Sequence, residues 1–124
     1  MVNIQLKHDI VQSLAQDSSV IAAYVLGSFA RGEVGPESDF DLAVAVDKVH
    51  PASSDTIYEL LKNIQFPKNL DLSVIDSTSS PLFLFQVISK GERIFERNTN
   101  DIVQFEAFTL HNYYDTAHLR AMFA

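Results

Sequence analysis

Two apolar runs of seven residues, at 20–26 (VIAAYVL) and 40–46 (FDLAVAV), most constrain how this chain can fold. Runs this short, bounded by turn signals, suit buried strands better than helices. The second run also alternates. Phe40, Leu42, Val44 and Val46 share one strand face, while Asp39, Asp41, Ala43 and Ala45 share the other. A third segment, 70–75 (LDLSVI), repeats the pattern, with Leu70, Leu72 and Val74 opposite Asp71, Ser73 and Ile75. Both strands therefore pair a bulky apolar face, suited to covering helices, with a face that is acidic at one end and small beyond it. The second face reads as an open active-site floor or as a merely solvated surface.

Helical signals surround these strands. Residues 4–16 form an apolar stripe behind a potential Asn3 cap, and Ser53 or Ser54 caps a helix over about 55–65 that Pro67 closes. Pro81 opens a helix running to Lys90, and Gly91 stands where helices commonly end. GERIFER at 91–97 reads as a short edge strand, and the segment from Asp101 onward as a long helix, straight or bent. The order is α-β-β-α-β-α-β-α, an α/β or α+β sheet covered by helices on one side. At 124 residues with no linker or repeat, residues 1–124 are expected to form one domain, with 101–124 a C-terminal helix available to a partner.

On that helix Val103, Ala107, Leu110, Tyr114, Ala117 and Ala121 recur at spacings of four and three. This stripe is expected to pack on the sheet domain. Phe105, Phe108, Leu119, Met122 and Phe123 lie largely off it and would be exposed unless a second protein covers them. A deeper burial of the helix is the competing reading.

Composition excludes several function classes. The formal charge of −7 opposes a phosphate backbone, and the nine Lys and Arg form no cluster, so nucleic acid is disfavoured as a direct ligand. No run approaches the roughly 18 apolar residues of a membrane helix. Met1 to Leu6 lacks a secretory signal pattern, and there is no cysteine, which together predict a cytoplasmic location. The four histidines show no ligand spacing suited to zinc; His111 and His118 share a helix face without a third ligand.

The chemistry-bearing constellation is Gly27-Ser28, ten residues, then Asp39-Phe40-Asp41. That spacing alone arises by chance in on the order of one chain in several hundred, so its context matters. Here a strand ends in the Gly-Ser turn, Phe29-Ala30-Arg31 can begin a helical turn, a loop follows, and two carboxylates lead the next strand. The stretch LGSFARGEVGPESDFDLAVAV resembles the nucleotidyltransferase signature of the polymerase-β-like superfamily. LDLSVIDSTSSPLFLFQVISKGERIFER resembles the second half of its smallest members, the minimal nucleotidyltransferase (MNT) antitoxins paired with helical HEPN-domain ribonuclease toxins.

The resemblance spans roughly 20–97 and implies a nucleotidyltransferase fold: a mixed sheet of about four strands, helices on one face, and an open active-site face. It further implies transfer of AMP from ATP to a tyrosine of the toxin. By matching position, its motif residues are Gly27, Ser28, Asp39, Asp41 and Asp71.

The residue types suit that chemistry. Mg²⁺ prefers oxygen ligands and commonly takes only one or two carboxylates, leaving other positions to water and phosphate. Asp39 and Asp41, one strand step apart on one face, can share two ions about 3.5–4 Å apart. Asp71 on the neighbouring strand can complete the second site and take the proton. Asp76 is its rival, but its spacing places it on the opposite face. Gly27 permits close backbone approach to phosphate, Ser28 offers a hydroxyl and helix-start N–H groups, and Arg31 a forked contact to the same phosphates. The bland alternatives are an exposed edge-strand face for the acids, a helix cap for Ser28 and a surface ion pair for Arg31. At the level of function, the rivals are a non-enzymatic binding antitoxin on the same scaffold, and nucleotidyl transfer to RNA or a small molecule.

Overall fold

The computed structural model describes residues 2–27 and 39–122. In chain order the elements are α1 (Ile4–Leu14), β1 (Val20–Leu26), β2 (Phe40–Val46), α2 (Ser54–Leu61), β3 (Leu70–Ile75), α3 (Pro81–Lys90), β4 (Glu92–Glu96), α4 (Thr99–Asp115) and α5 (Ala117–Met122). The expected caps Asn3 and Ser53 are in place, accepting from the N–H groups of Leu6 and Thr56, and Pro81 stands in the first turn of α3 as expected. Ser80, not singled out from the sequence, accepts from the Phe83 N–H.

The sheet order is β3-β2-β1-β4. β1 runs antiparallel to both β2 and β4, whereas β2 and β3 are parallel, so the sheet is mixed as expected. β1 carries a register shift between Val20 and Ala22. That irregularity lets Val20 share a core with Ala23 and Val25 despite the odd spacing.

The helices occupy both faces, which corrects the one-sided expectation. α1 and α2 pack Leu6, Ile10, Leu14, Ile57 and Leu61 onto the bulky side of the strands. α3 and α4 pack Leu84, Val87, Ile102 and Phe105 onto the other side, over Ala22, Tyr24, Ala43, Ala45 and Ile75. Small residues at 22, 43 and 45 are what allow helices to approach that side closely. Its acidic end, at Asp39 and Asp71, is exposed. Gly91 ends α3 as expected, its N–H donating to the Val87 carbonyl. Its backbone is extended, and a Cβ there would lie 2.5 Å from the Val87 carbonyl oxygen and 2.8 Å from Leu26 Cδ2. Close packing of the α3–β4 corner on β1 selects the glycine.

α4 packs through a different face from the one its apolar stripe suggests. Ile102, Phe105 and Thr109 are buried, whereas Val103, Leu110 and Tyr114 are exposed, Tyr114 to 66%. Phe105 therefore belongs to the core rather than to the exposed set, while Phe108, Leu119 and Met122 are exposed as expected. The helix breaks at Thr116. The Arg120 guanidinium then folds back over the Tyr113 ring at 3.8 Å, and Tyr113 stacks on Phe85 of α3.

The reason for this choice of face is polar. Tyr24, 1% exposed in the middle of β1, donates its hydroxyl to Glu106 Oε2 at 2.6 Å, and Arg93 Nη1 meets the same oxygen at 2.8 Å. Glu106 lies on the face of Ile102, Phe105 and Thr109, so satisfying a buried phenol fixes the rotation of α4. Burial, then the Glu106 carboxylate, push the Tyr24 phenol well above the ordinary tyrosine value of 10.0. Above that value the unfolded chain releases the proton while the folded one keeps it, so stability falls as pH rises past it. In a spectrophotometric alkaline titration, Tyr24 should ionise only as the protein unfolds. Ionisation of Tyr24 before loss of ellipticity would contradict this reading of the network.

Candidate active site

Strand register assembles the acidic end of the sheet. In the parallel β2–β3 pair Asp41 stands directly beside Asp71, and in the antiparallel β1–β2 pair Leu26 stands beside Asp41. Gly27, the residue after β1, is thereby delivered to the Asp41 carboxylate. Its φ of 66° is the left-handed conformation that glycine adopts without cost, and a Cβ built there would lie 2.7 Å from Asp41 Oδ2. The positive φ thus selects glycine at this turn, and any Cβ would also have to displace the Asp41 carboxylate. Asp41 itself is held from below by its neighbour Phe40, which is fully buried against the opposite core.

The electrostatics show how close the acids come. Partial burial raises the Asp41 carboxyl above its usual value, the charge of Asp71 and a hydrogen bond with it raise it further, and the charge of Asp39 adds to the effect. Asp41 and Asp71 are therefore in side-chain contact, whereas Asp39 is an exposed nearby charge. Among the described residues, no set of three or more His, Cys, Asp or Glu side chains is arranged to hold a metal ion by itself. The structure brings together two of the three predicted carboxylates as a pair and places the third at its margin. Ser28 and Arg31, with the helical turn expected at 29–31, lie outside the described residues. Asp76 is excluded by position. It follows the far end of β3, and its Oδ1 accepts from the Thr78 N–H at 2.7 Å in a local turn.

A cavity of about 460 Å³ adjoins the acids, lined by Leu26, Gly27, Phe83, Gln86, Val87 and Lys90. Sequence reasoning missed its α3 wall. Positions 83, 86, 87 and 90 follow helical spacing and so lie on one side of α3, but the spacing alone does not say that this side faces the Gly27 turn.

Mixed-sheet topology, helices on both faces and a carboxylate pair beside a left-handed glycine define an α/β protein whose open sheet end is built around converging acids. The family model of the polymerase beta nucleotidyltransferases matches residues 8–100, and the chain belongs to that family. Solved structures share the fold along nearly the whole chain. A toxin–antitoxin complex with AMP-PNP aligns with a TM-score of 0.73 at 21% identity, covering 94% of this chain and 94% of that one. The complex of a tri-AMPylated Shewanella oneidensis HEPN toxin with MNT antitoxin aligns at 0.69 and 19% identity, covering 96% and 93%. The MntA–HepT toxin–antitoxin complex aligns at 0.68 and 19%, covering 98% and 96%. No curated protein matches the sequence. No helix among the described residues is long and apolar enough to cross a membrane.

Proposed function

We propose that this chain is an antitoxin-type protein nucleotidyltransferase that transfers AMP from ATP to a tyrosine of a cognate HEPN ribonuclease toxin. The observation that carries the reading is the Asp41–Asp71 pair beside Gly27, within the span matched by the nucleotidyltransferase family. The similarity to toxin–antitoxin complexes, one with AMP-PNP and one with an AMPylated toxin, supports the donor and the acceptor. The apolar side of α4 left exposed at Val103, Leu110 and Tyr114 suits a protein partner better than a small molecule.

The donor set fits Mg²⁺. Asp39, Asp41 and Asp71 offer hard carboxylate oxygens; burial and then the charges of Asp71 and Asp39 disfavour the ionised Asp41 carboxylate, and a divalent cation would offset both. A ready-made three-ligand cage is not required, because Mg²⁺ commonly keeps one or two carboxylates and completes its shell with phosphate and water. When bound, Mg²⁺ would screen the triphosphate charge and favour the ionised form of the attacking hydroxyl.

The chain's own residues then have distinct tasks. Gly27 lets the backbone approach the phosphates without a side chain in the way. Asp71 accepts the phenolic proton as the tyrosine oxygen attacks the α-phosphorus. One P–O bond forms to tyrosine, the α–β bridging P–O bond breaks, and pyrophosphate leaves with the electron pair. Placing nucleophile, phosphorus and leaving group in line is the main contribution such a site makes.

The test is incubation of the purified chain with Mg²⁺, α-labelled ATP and its co-encoded helical toxin. Label should appear on a toxin tyrosine and disappear when Asp39 and Asp41 are both changed to Ala. Unlabelled toxin, or label persisting with the double variant, defeats the proposal. Full neutralisation of the toxin by the double variant would instead favour inhibition by contact alone, through the exposed face of α4.

A further inference from the structure

The two edges of the sheet differ in how they are guarded. An edge strand presents unpaired N–H and C=O groups, which proteins blunt with charges, proline or bulges. β4 is blunted in this way. It carries Glu92, Arg93 and Glu96, and its pairing with β1 slips between Ala23 and Tyr24. β3, at the other end of the sheet, has none of these devices. Its sequence LDLSVI holds a single charge and no proline, and it pairs with β2 from Leu70 to Ile75 without a shift. No strand among the described residues pairs with its outer side.

One hydrogen bond fixes which groups face outward. The Phe40 N–H donates to the Asn69 carbonyl, and successive residues of a strand turn their N–H and C=O to opposite sides. Those of Leu70, Leu72 and Val74 therefore point away from β2. The side chains of these three lie half-buried on the bulky face, while Asp71 and Ser73 lie on the acidic one. Laid antiparallel on a copy of itself with Leu72 on the two-fold axis, the strand is self-complementary. Leu70 meets Val74 and Leu72 meets Leu72 as hydrogen-bonded pairs, so every cross-strand contact on the bulky face is apolar. Asp71 meets Ser73 in the closer, non-hydrogen-bonded pairing, hydroxyl against carboxylate. Moving the axis to residue 71 would oppose Asp71 to itself, a like-charge pair that destabilises. Moving it to residue 73 would carry the ladder into Asp76, whose Oδ1 is held by the Thr78 N–H in a turn.

We propose that this chain forms a two-fold dimer through β3, joining two four-stranded sheets into one continuous sheet. The edge calls for an equally unguarded strand in which apolar residues alternate with one acceptor and one donor, and a second copy supplies it. Pairing buries Leu70, Leu72 and Val74 further and satisfies their outward backbone groups. It also brings Ser73 of the second copy to Asp71, so the acidic ends of both copies abut the interface. Repulsion between two chains of net charge −7 opposes association, and at physiological salt it is largely screened beyond about 8 Å. The dimer is a property of the fold and stands whether or not the chain transfers a nucleotide.

The deciding experiment is light scattering on the full chain at about 0.1 mM and physiological salt, where a dissociation constant of about 10 μM or tighter gives mostly the mass of two chains. Leu72→Pro removes an N–H that points outward and spares the β2–β3 ladder. Both copies lose a bond worth about fivefold, so the dimer should weaken by at least about thirtyfold with circular dichroism unchanged. Leu72→Cys, in a chain with no other cysteine, should cross-link to its twin under mild oxidant, since paired strand residues fall within disulfide reach. Val103→Cys, exposed on α4, should not. A wild-type mass of one chain overturns the proposal. So does a folded Leu72→Pro variant that dimerises undiminished, or a Leu72→Cys variant that cross-links no faster than Val103→Cys. If Leu72→Pro fails to fold, the cross-link alone decides.

Discussion

Changing Asp41 to asparagine should lower nucleotidyl transfer by about a thousandfold, the scale seen when one electrostatic element of a transition-state site is removed, while the fold becomes no weaker. The two halves of this expectation have one cause. Asp41 is held beside Asp71 by strand pairing, with Asp39 adding its charge, so its ionised form is disfavoured in the folded chain. Asparagine has the same shape, fits under Gly27 as the carboxylate does, and donates an N–H to Asp71 where two acids must otherwise share a proton or repel. The same change deletes the anionic oxygen best placed to bind a cation bearing the triphosphate. Initial transfer rates under saturating ATP, and Tm in chelator, give the two readouts. A Tm equal to or above wild type with transfer nearly abolished is the expected pair. Wild-type rates would remove Asp41 from the machinery, and a collapsed Tm would make it a structural residue.

That separation of stability from activity is itself legible in the alternation of 39–46. A period of two assigns each side chain to a face without knowledge of the partner strands, so Asp41 and Asp71 fall on one face and Phe40 on the other from sequence alone. Strand pairing then adds what periodicity cannot, the register that sets Asp41 against Asp71 rather than against Leu70 or Leu72. α4 shows the opposite case. Its exposed side carries Val103, Leu110 and Tyr114, and its buried side Ile102, Phe105, Glu106 and Thr109, so hydrophobicity favours the wrong one. The decision lies in the Tyr24 hydroxyl, whose partner Glu106 is 82 residues away in sequence. A contact of that range leaves no local signature. Coverage of the second sheet face has a similar origin. Ala43 and Ala45 read as part of a bare floor, yet small side chains are also what a closely packed helix requires, and α3 and α4 take that option. The cavity beside the acids is illegible for a related reason, since its walls come from the end of β1 and from α3, elements distant in sequence that packing brings together.

Phe40 provides the complementary expectation, a large loss of stability from a residue with no chemistry of its own. It stands between the two motif acids and points into the opposite core, fully buried, with its ring centroid 5.2 Å from that of Phe66. Its N–H donates to the Asn69 carbonyl at 2.8 Å, which ties the start of β2 to the residue preceding β3. Phe40→Ala removes most of a buried aromatic side chain and leaves a cavity that a sheet strand held on both sides can only partly close, at a cost of about 3–5 kcal/mol. Set against the roughly 5–15 kcal/mol by which domains are stable, that is a large fraction, so the urea midpoint should fall sharply with the slope unchanged. Phe40→Leu keeps most of the apolar volume and should cost clearly less. Activity should follow the folded fraction in both variants, recovering as urea is withdrawn, because Asp39 and Asp41 are intact and need only the strand beneath them. A Phe40→Ala chain with a wild-type midpoint would show that the acids are positioned by something other than this anchor. One that is fully folded yet inactive would show that the ring sets carboxylate geometry beyond its share in stability.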